Sequence, residues 1–335
     1  MKVAIIGAGR IGRVHIANIS AGVPEMEIKI VADPYMDKEG EAFVKGYGVP
    51  VITKDAEGIF ADSEVEAVLI CSSTDTHTEY ILKAAAAGKH IFCEKPVDHD
   101  VHRVRLALDA VKKAGVKMQI GFVRRFDHNH RAVYDAVREG KIGTPHILRI
   151  SSRDPEPPTI EYVRSSGGIF YDMMIHDFDM IRFLAGCEVT EVYANGAVLI
   201  DPAIGAEGDV DTAIVTLTFE NGAIGVIDNS RQAVYGYDQR LEVFGSEGAV
   251  RNENDIPNTA VISRADCTFF GTPYQIMWDR YTQAFIDEMR AFAHAVINDE
   301  IPQVTDLDGL YPVLMAAAAS KSLKELRPVK IIEVE

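Results

Sequence analysis

Short apolar runs alternate with amphipathic stretches in the first part of the chain. Five runs have the length and composition of β-strands: KVAII, IKIVAD, EAVLICS, HIFCEK and KMQIGF. The stretches between them have the apolar spacing of helices. This alternation predicts a parallel sheet with helical crossover connections, and therefore an α/β domain over residues 1–121.

The pattern becomes β-rich from about residue 145. The runs HILRISSRD, TEVYANGAVLI, DTAIVTLTFENGAIGVIDNS, RLEVFGSEGAV and TAVISRA are separated by turn residues such as Asn221-Gly222. They predict an α+β domain over residues 122–335, built on a mainly antiparallel open sheet. Two helices, over about 276–298 and 306–326, are predicted to close the chain, and the domains are expected to join near 121–127.

One apolar segment, GGIFYDMMIHDFDM, carries several polar residues in its middle. Two glycines open it and Gly186 follows it, so one continuous helix is predicted between them. Asp172, His176 and Asp179 have i, i+4, i+7 spacing and would share one face of that helix. Buried polar groups are costly unless they find partners. The strip is therefore either a self-satisfied network or the wall of a site, and Asp177 and Asp179 could also support the helix or pair with Arg182.

A glycine-rich loop follows the first predicted strand. VAIIGAGRIG places Gly7, Gly9 and Gly12 in G-x-G-x-x-G spacing at the head of a helix. Gly7 would permit a tight turn, Gly9 the approach of a pyrophosphate, and Gly12 close packing of the helix. Asp33 ends the second strand run, where a carboxylate holds a ribose 2′-hydroxyl and disfavours a 2′-phosphate. These features predict a Rossmann domain that binds NAD.

Five further residues are candidates for contact with the cofactor. Arg10 and Ile11 lie inside the glycine loop, where the charge of Arg10 could relax the preference for NAD over NADP. Ser72 ends the third strand run, EAVLICS, and Thr74 and His77 follow it, at the carboxyl edge where doubly wound sheets bind ligands. Capping of the next helix explains the serine and the threonine equally well.

FCEKP places Glu94 and Lys95 at the end of the next strand run. Both are candidates for the cofactor crevice, and Lys95 could reach the nicotinamide region and a substrate hydroxyl. A solvated surface lysine is the ordinary alternative.

The glycine loop, EKP and the pattern GGxxxDxxxHxxD, in this order, resemble the family of glucose-fructose oxidoreductase, inositol dehydrogenase and related NAD(P)-dependent sugar and polyol oxidoreductases. The resemblance covers nearly the whole chain. CSSTDTH, GFVRRFD, SSRDPEPPTIEYVRSSGG and DMMIHDFDMIRFLAG resemble the inositol 2-dehydrogenases of that family. This implies NAD-dependent oxidation of myo-inositol to 2-keto-myo-inositol.

The resemblance also implies a catalytic set of Lys95, Asp172 and His176. A histidine with a pKa near neutrality suits the removal of the hydroxyl proton. Lys95 would hold the reacting oxygen and stabilise developing alkoxide charge. Asp172 would orient His176 or bind a neighbouring hydroxyl.

A neutral polyol needs several hydrogen-bonding groups rather than an ion clamp. The resemblance assigns Arg124 and Asp154 to this role, beside the three catalytic residues, and Tyr235 is a further candidate. Interdomain salt bridges for the first two residues, and core packing for the tyrosine, are the alternatives.

Charge and composition exclude several classes of partner. The formal net charge of −16 opposes binding to nucleic acid or to an anionic membrane surface. No apolar run approaches the ~20 residues of a membrane span, and with no leader pattern at the start a cytoplasmic protein is expected. The four cysteines lack C-x-x-C spacing, so neither a disulfide nor a zinc site is expected. HNH at 128–130 could suggest a metal, but no metal is predicted because side chains at i and i+2 of a helix diverge.

Other functions are compatible with the same motifs. The substrate could be scyllo-inositol, chiro-inositol or an aldose. A glycosidase of the same fold would keep NAD bound and oxidise its substrate only transiently. A non-catalytic sensor would be expected to lose Lys95 or His176, and this chain keeps both. The resemblance further implies a homo-oligomer, either a dimer or a tetramer.

Overall fold

The computed structural model describes all 335 residues of the chain, in two compact units. The first unit comprises Met1–Phe126 and Thr282–Val313, and the second comprises Asp127–Tyr281 and Leu314–Glu335. The domains predicted from the sequence did not include the return of Thr282–Val313 to the first unit. Its physical cause is apolar burial, because residues such as Met289 belong to the same core cluster as the first strand.

The first unit contains a six-stranded sheet in which all neighbouring strands are parallel. Its strands are β1 (Lys2–Ile6), β2 (Glu27–Ala32), β3 (Val51–Thr53), β4 (Ala67–Ile70), β5 (His90–Glu94) and β6 (Met118–Gly121). The spatial order is β3-β2-β1-β4-β5-β6. The strand order reverses between β1 and β4. This position is the switch point where doubly wound sheets bind dinucleotides. Of these six strands, the sequence pattern missed only β3.

Helices connect these strands. They are α1 (Arg10–Gly22), α2 (Lys38–Gly46), α3 (Glu57–Ala61), α4 (Thr74–Ala86) and α5 (Val101–Ala114), and a 3₁₀ helix follows the last strand at Val123–Phe126. Local chemistry fixes their ends. The Asp100 carboxylate accepts hydrogen bonds from the backbone N–H groups of His102 and Arg103 in the first turn of α5, and Gly115 ends that helix in the left-handed conformation.

The second unit contains a mixed sheet that is mainly antiparallel. The strands of this unit are β7 (Pro145–Arg153), β8 (Val189–Ala197), β9 (Thr212–Phe219), β10 (Ile224–Ser230), β11 (Asp238–Gly245), β12 (Gly248–Arg251), β13 (Val261–Ser263), β14 (Thr268–Phe270) and β15 (Val329–Lys330). The sheet order is β12-β11-β7-β10-β9-β8-β15, with β13 and β14 forming a separate hairpin. Only β7 and β10 pair in parallel. The predicted fold class is confirmed in both units.

Five helices belong to the second unit alone. They are α6 (His128–Arg138), α7 (Ile160–Ser166), α8 (Ile169–Asp172), α9 (Ile175–Ala185) and α10 (Pro202–Ala206). The two closing helices, α11 (Met277–Ile297) and α12 (Asp306–Glu325), are confirmed, and a 3₁₀ turn follows at Ile331–Glu333. None of the helices combines the length and the apolar character that a membrane span requires.

The helix predicted after Gly168 is wrong in one respect, because it is two helices. The backbone N–H of Met174 donates to the carbonyl of Ile169, five residues back, so the regular ladder of α8 stops there. Asp172 therefore ends α8, and His176 lies in the first turn of α9. Their i, i+4 spacing is not that of one regular helix.

Candidate active site

The glycine loop contains two glycines that the fold requires and a third with open space beside it. Gly7 has φ +97°, and a Cβ there would lie 2.6 Å from backbone atoms of Cys71 and Ser72. A Cβ on Gly12 would lie 2.0 Å from the carbonyl oxygen of Gly7. Gly9, by contrast, has φ −69°, and no atom beyond its neighbours along the chain lies within 4 Å of an added Cβ. The space above Gly9, at the start of α1, fits an approaching pyrophosphate.

Asp33 is held against this loop directly after β2. Its Oδ2 accepts a hydrogen bond from the Ala8 N–H at 2.7 Å, and its Oδ1 accepts one from the Tyr35 N–H at 2.8 Å. A carboxylate has about four acceptor positions, so capacity remains for a ribose hydroxyl. Arg10 is exposed and Ile11 half-buried at the start of α1. These residues fit NAD.

The residues after β4 have mixed surroundings. Thr74 is the first residue of α4 and is half-buried, whereas the cap of this helix is Ser73, whose side chain makes no capping bond. The capping interpretation of Ser72 and Thr74 is therefore not what the structure has. The Ser72 hydroxyl lies 2.7 Å from that of Thr76. Contact between Ser72 or Thr74 and the cofactor stays a prediction.

His77 supports the loop from beneath. It is buried, with Nδ1 2.8 Å from the Pro96 carbonyl oxygen and Nε2 3.0 Å from the Ser72 carbonyl oxygen. Burial lowers the pKa of His77, although the two carbonyl oxygens oppose this effect. The ring ties the end of β4 to the segment after β5, which favours a supporting role over direct contact with a cofactor.

Glu94 ends β5 and pairs with a histidine that the motif analysis did not identify. His15 of α1 is fully buried, and its Nε2 lies 2.6 Å from Glu94 Oε1. The imidazole packs edge-on against Phe92. Lys95 follows directly and is half-buried. The signal for His15 was its position on the buried face of α1, beside Gly12 and Ile16.

In the second unit, Asp172 is held by two side chains that the motif analysis did not single out. The Tyr162 hydroxyl donates to Asp172 Oδ1 at 2.7 Å, and Arg231 Nη1 donates to Oδ2 at 3.2 Å. Arg231 Nη2 also lies 3.6 Å from Asp209 Oδ2. Asp209 Oδ1 in turn accepts the N–H of Ile169, the first residue of α8.

His176 is half-buried, and the residue after it anchors α9 to the sheet. Asp177 is fully buried and accepts hydrogen bonds from the Ser152 hydroxyl at 2.5 Å and the Asn229 amide at 2.9 Å. The supporting role considered for Asp177 is thus observed. Arg182 pairs with Glu188, at 2.5 Å from Nε and 2.6 Å from Nη2.

The structure brings Asp154 and the loop after β10 together. The Asp154 N–H donates to the Ser230 carbonyl oxygen at 3.0 Å, and its own carbonyl accepts from the Ala233 N–H at 2.6 Å. In the same loop, the Tyr235 hydroxyl accepts from Arg153 Nη1 at 3.0 Å and donates to Asp238 Oδ2 at 2.6 Å.

Tyr235 is 40% exposed, so the core-packing alternative is wrong. Partial burial and the bond to Asp238 raise the pKa of its phenol, and one lone pair of the hydroxyl remains for a substrate. Arg124 belongs to the first unit, where it is buried in the 3₁₀ helix Val123–Phe126.

The HNH segment does not fit a metal ion. Asp127, His128 and Asp255 bring potential ligand atoms close together. However, Arg280 Nη1 already lies 2.5 Å from Asp127 Oδ2 and 2.7 Å from Asp255 Oδ2. A cation would have to displace this guanidinium.

The four cysteines are free thiols. Burial raises the pKa of Cys71 and of Cys93 well above the ordinary value, so both thiols stay protonated at neutral pH.

The first unit has a Rossmann sheet and a glycine loop that fits a dinucleotide. The second unit has a mixed sheet and a carboxylate that two side chains hold in place. Together these features are those of a two-domain oxidoreductase. Comparison with family models agrees. Residues 1–122 match the NAD-binding Rossmann fold of the GFO/IDH/MocA oxidoreductase family, and residues 130–251 match the GFO/IDH/MocA C-terminal domain. The chain belongs to this family.

Similar proteins span the whole chain. The chain is 46% identical to a myo-inositol 2-dehydrogenase of Thermotoga maritima, over 100% of this chain and 99% of the relative. It is 43% identical to an inositol 2-dehydrogenase of Rhizobium meliloti, over 99% of both chains. Among solved structures, a myo-inositol dehydrogenase from Lactobacillus casei in complex with NAD(H) and myo-inositol is 27% identical, with a TM-score of 0.87 over 98% of this chain and 96% of that one.

Proposed function

We propose that the protein is an NAD-dependent inositol 2-dehydrogenase, which oxidises myo-inositol to 2-keto-myo-inositol. The observation that carries the proposal is a pairing within one chain. The chain has a glycine loop with open space at Gly9. It also has a carboxylate, Asp172, that two side chains hold in place, and His176 lies in the same short segment as Asp172. Full-length similarity to proteins named inositol 2-dehydrogenases supports the substrate class.

The proposed catalytic residues are Lys95, Asp172 and His176. His176 accepts the hydroxyl proton as a hydride leaves the same carbon. Lys95 donates a hydrogen bond to the reacting oxygen and stabilises its developing negative charge. Asp172 orients His176 or accepts a hydrogen bond from a neighbouring hydroxyl. NAD, when bound, accepts the hydride, so the products are the ketone, NADH and a proton.

Arg124, Asp154 and Tyr235 are the proposed binding groups for the other hydroxyls of the polyol. The geometry of Tyr235 supports this role, because Arg153 and Asp238 hold its phenol in place. Asp154 is supported by the backbone bonds that fix it beside the same loop. Arg124 rests on the family resemblance.

Three parts of the proposal rest on the sequence and the family resemblance. They are the homo-oligomeric state, as a dimer or a tetramer, the cytoplasmic location, and the preference for myo-inositol over scyllo-inositol, chiro-inositol or an aldose. A glycosidase of the same fold is the alternative from another class of reaction, and it would produce no net NADH.

The test is NADH absorbance with purified protein, NAD and a panel of myo-inositol, scyllo-inositol, chiro-inositol and glucose. NADH from myo-inositol, lost in His176→Ala, is the expected result. His146→Ala is the matched control, because His146 is an exposed histidine of the same unit. Silence across the panel, or full activity in His176→Ala, would contradict the proposal or the assigned base, respectively.

A further inference from the structure

We infer that Tyr162 and Arg231 are positioning residues that fix the carboxylate of Asp172 for the reaction. This pair is called the Tyr162–Arg231 clamp below. The inference rests on the proposed function, because it assigns the clamp a role in polyol oxidation. It adds residues whose effect on the reaction is exerted through Asp172.

The clamp grips both oxygens of one carboxylate from two directions. The Tyr162 hydroxyl, from α7, holds Oδ1 at 2.7 Å, and the Arg231 guanidinium, from the end of β10, holds Oδ2 at 3.2 Å. Two bonds to different oxygens fix the rotation of the carboxylate as well as its position. The remaining acceptor positions of Asp172 then have fixed directions.

The guanidinium of Arg231 is costly for the fold. Its side chain is 1% exposed, and its Nε and Nη2 atoms make no hydrogen bond. Its second carboxylate, Asp209, lies 3.6 Å away, too far for a hydrogen bond. Buried arginines with unsatisfied donors cost stability compared with packed apolar side chains. The bond to Asp172 gives a reason for burying this guanidinium, since unsatisfied buried polar groups in natural proteins occur chiefly at functional sites.

The backbone around Arg231 makes the clamp rigid. The Arg231 N–H donates to the Asp211 carbonyl oxygen at 2.9 Å. The buried carboxylate of Asp211 accepts backbone N–H groups from Leu199, Ile200 and Asp201 at 2.8 to 3.1 Å. The backbone of Arg231 is therefore hydrogen-bonded to Asp211, whose own carboxylate fixes the loop at residues 199–201.

Asp209 connects the clamp to the helix that carries Asp172. Its Oδ1 accepts the Ile169 N–H at 3.0 Å, at the start of α8. A Cβ on Gly168 would lie 2.9 Å from the same oxygen, so a glycine leaves room for this contact. The beginning and the end of α8 are thus held by Asp209 and by Arg231, which face each other.

Tyr162→Phe tests the clamp with little risk to folding. Tyr162 is 39% exposed, and the change removes only one hydroxyl. With myo-inositol, kcat is expected to fall about 10-fold, the effect of one hydrogen bond to a charged group, while the affinity for NADH stays unchanged. Arg231→Lys, which keeps one charge but loses the forked geometry, is the second variant and is expected to lose activity as well.

Arg164→Gln is the matched control. Arg164 lies on the same helix as Tyr162 but pairs with Glu207, at 2.8 Å. It is expected to retain wild-type kinetics.

An isotope effect separates positioning from structural damage. With myo-inositol deuterated at carbon 2, a misplaced Asp172 slows the chemical step, so the isotope effect on kcat rises in Tyr162→Phe. A smaller fraction of folded enzyme lowers kcat but leaves the isotope effect at its wild-type value. An unchanged kcat and isotope effect in Tyr162→Phe would overturn the inference.

Crystal structures of wild type and Tyr162→Phe keep this test independent of the substrate. If wild type oxidises no polyol of the panel, the proposed function fails, and the clamp is then judged on the Asp172 side chain alone. A rotated or disordered carboxylate in Tyr162→Phe sustains the positioning role. A carboxylate in the wild-type position refutes it.

Discussion

Replacing Gly9 by alanine separates cofactor binding from folding. Gly9 has φ −69°, which alanine adopts readily, and no atom beyond its neighbours along the chain lies within 4 Å of the added methyl group. Glycine is favoured over alanine at a helix cap, but alanine also restricts the unfolded chain. These effects oppose each other, so the free energy of unfolding is expected to change by less than about 1 kcal/mol.

The same methyl group occupies the space assigned to the pyrophosphate. Moving the phosphates away from the start of α1 removes at least one hydrogen bond between a backbone N–H and a charged oxygen. Such a bond contributes about 1.5–3 kcal/mol, which corresponds to a loss of about 10- to 150-fold in NADH affinity. Stability and affinity should therefore respond very differently to one substitution.

Titration of NADH fluorescence measures the affinity, and thermal unfolding measures the stability. Gly58→Ala is the matched control, because Gly58 of α3 also has open space around an added Cβ, and it should bind NADH like wild type. Gly12→Ala is the contrasting variant, because its Cβ would lie 2.0 Å from the Gly7 carbonyl oxygen, and it should be destabilised. Wild-type NADH affinity in a folded Gly9→Ala protein would refute the assignment of the loop.

Three further substitutions test other parts of the account. Asp33→Ser should weaken NAD binding and raise the affinity for NADP relative to NAD, measured as dissociation constants for both, and an unchanged ratio would contradict the ribose assignment. Asp177→Asn should lower the free energy of unfolding by about 1–3 kcal/mol in a urea titration, because it disturbs a buried network; an unchanged midpoint would argue against anchoring of α9. Burial lowers the pKa of His77 in the folded protein, so the unfolded chain takes up this proton first as the pH falls below about 6.5. The contribution of His77 to the free energy of unfolding is therefore present above that pH and is lost as the pH falls towards the pKa of the folded state. In urea titrations between pH 7 and pH 5, the free energy of unfolding should fall less steeply in His77→Gln than in wild type. An equally steep fall in the variant would show that other groups cause it.

The sequence predicted what is local. The glycine loop, the acidic end of β2 and the alternation of strands and helices are short-range patterns, and both units have the predicted fold class. The strand β3 was missed because its three residues are too short to show a period. The break between α8 and α9 was missed because Met173 and Met174 are as compatible with a helix as their neighbours.

Long-range partners could not be predicted in the same way. Arg231 lies 59 residues from Asp172 along the chain, and no spacing rule connects them. His15 and Glu94 are 79 residues apart and meet only because α1 packs on β5. The residues proposed for chemistry follow from motifs, whereas those that hold them in place follow from the tertiary structure.

Transfer of deuterium from carbon 2 of labelled myo-inositol is the most direct test of the central proposal. The protein is incubated with NAD and the labelled substrate, and the NADH formed is examined by mass spectrometry and NMR. Hydride transfer predicts one deuterium at carbon 4 of the nicotinamide ring, together with 2-keto-myo-inositol. Unlabelled NADH, or label released to water without net NADH, would contradict the proposed inositol 2-dehydrogenase activity.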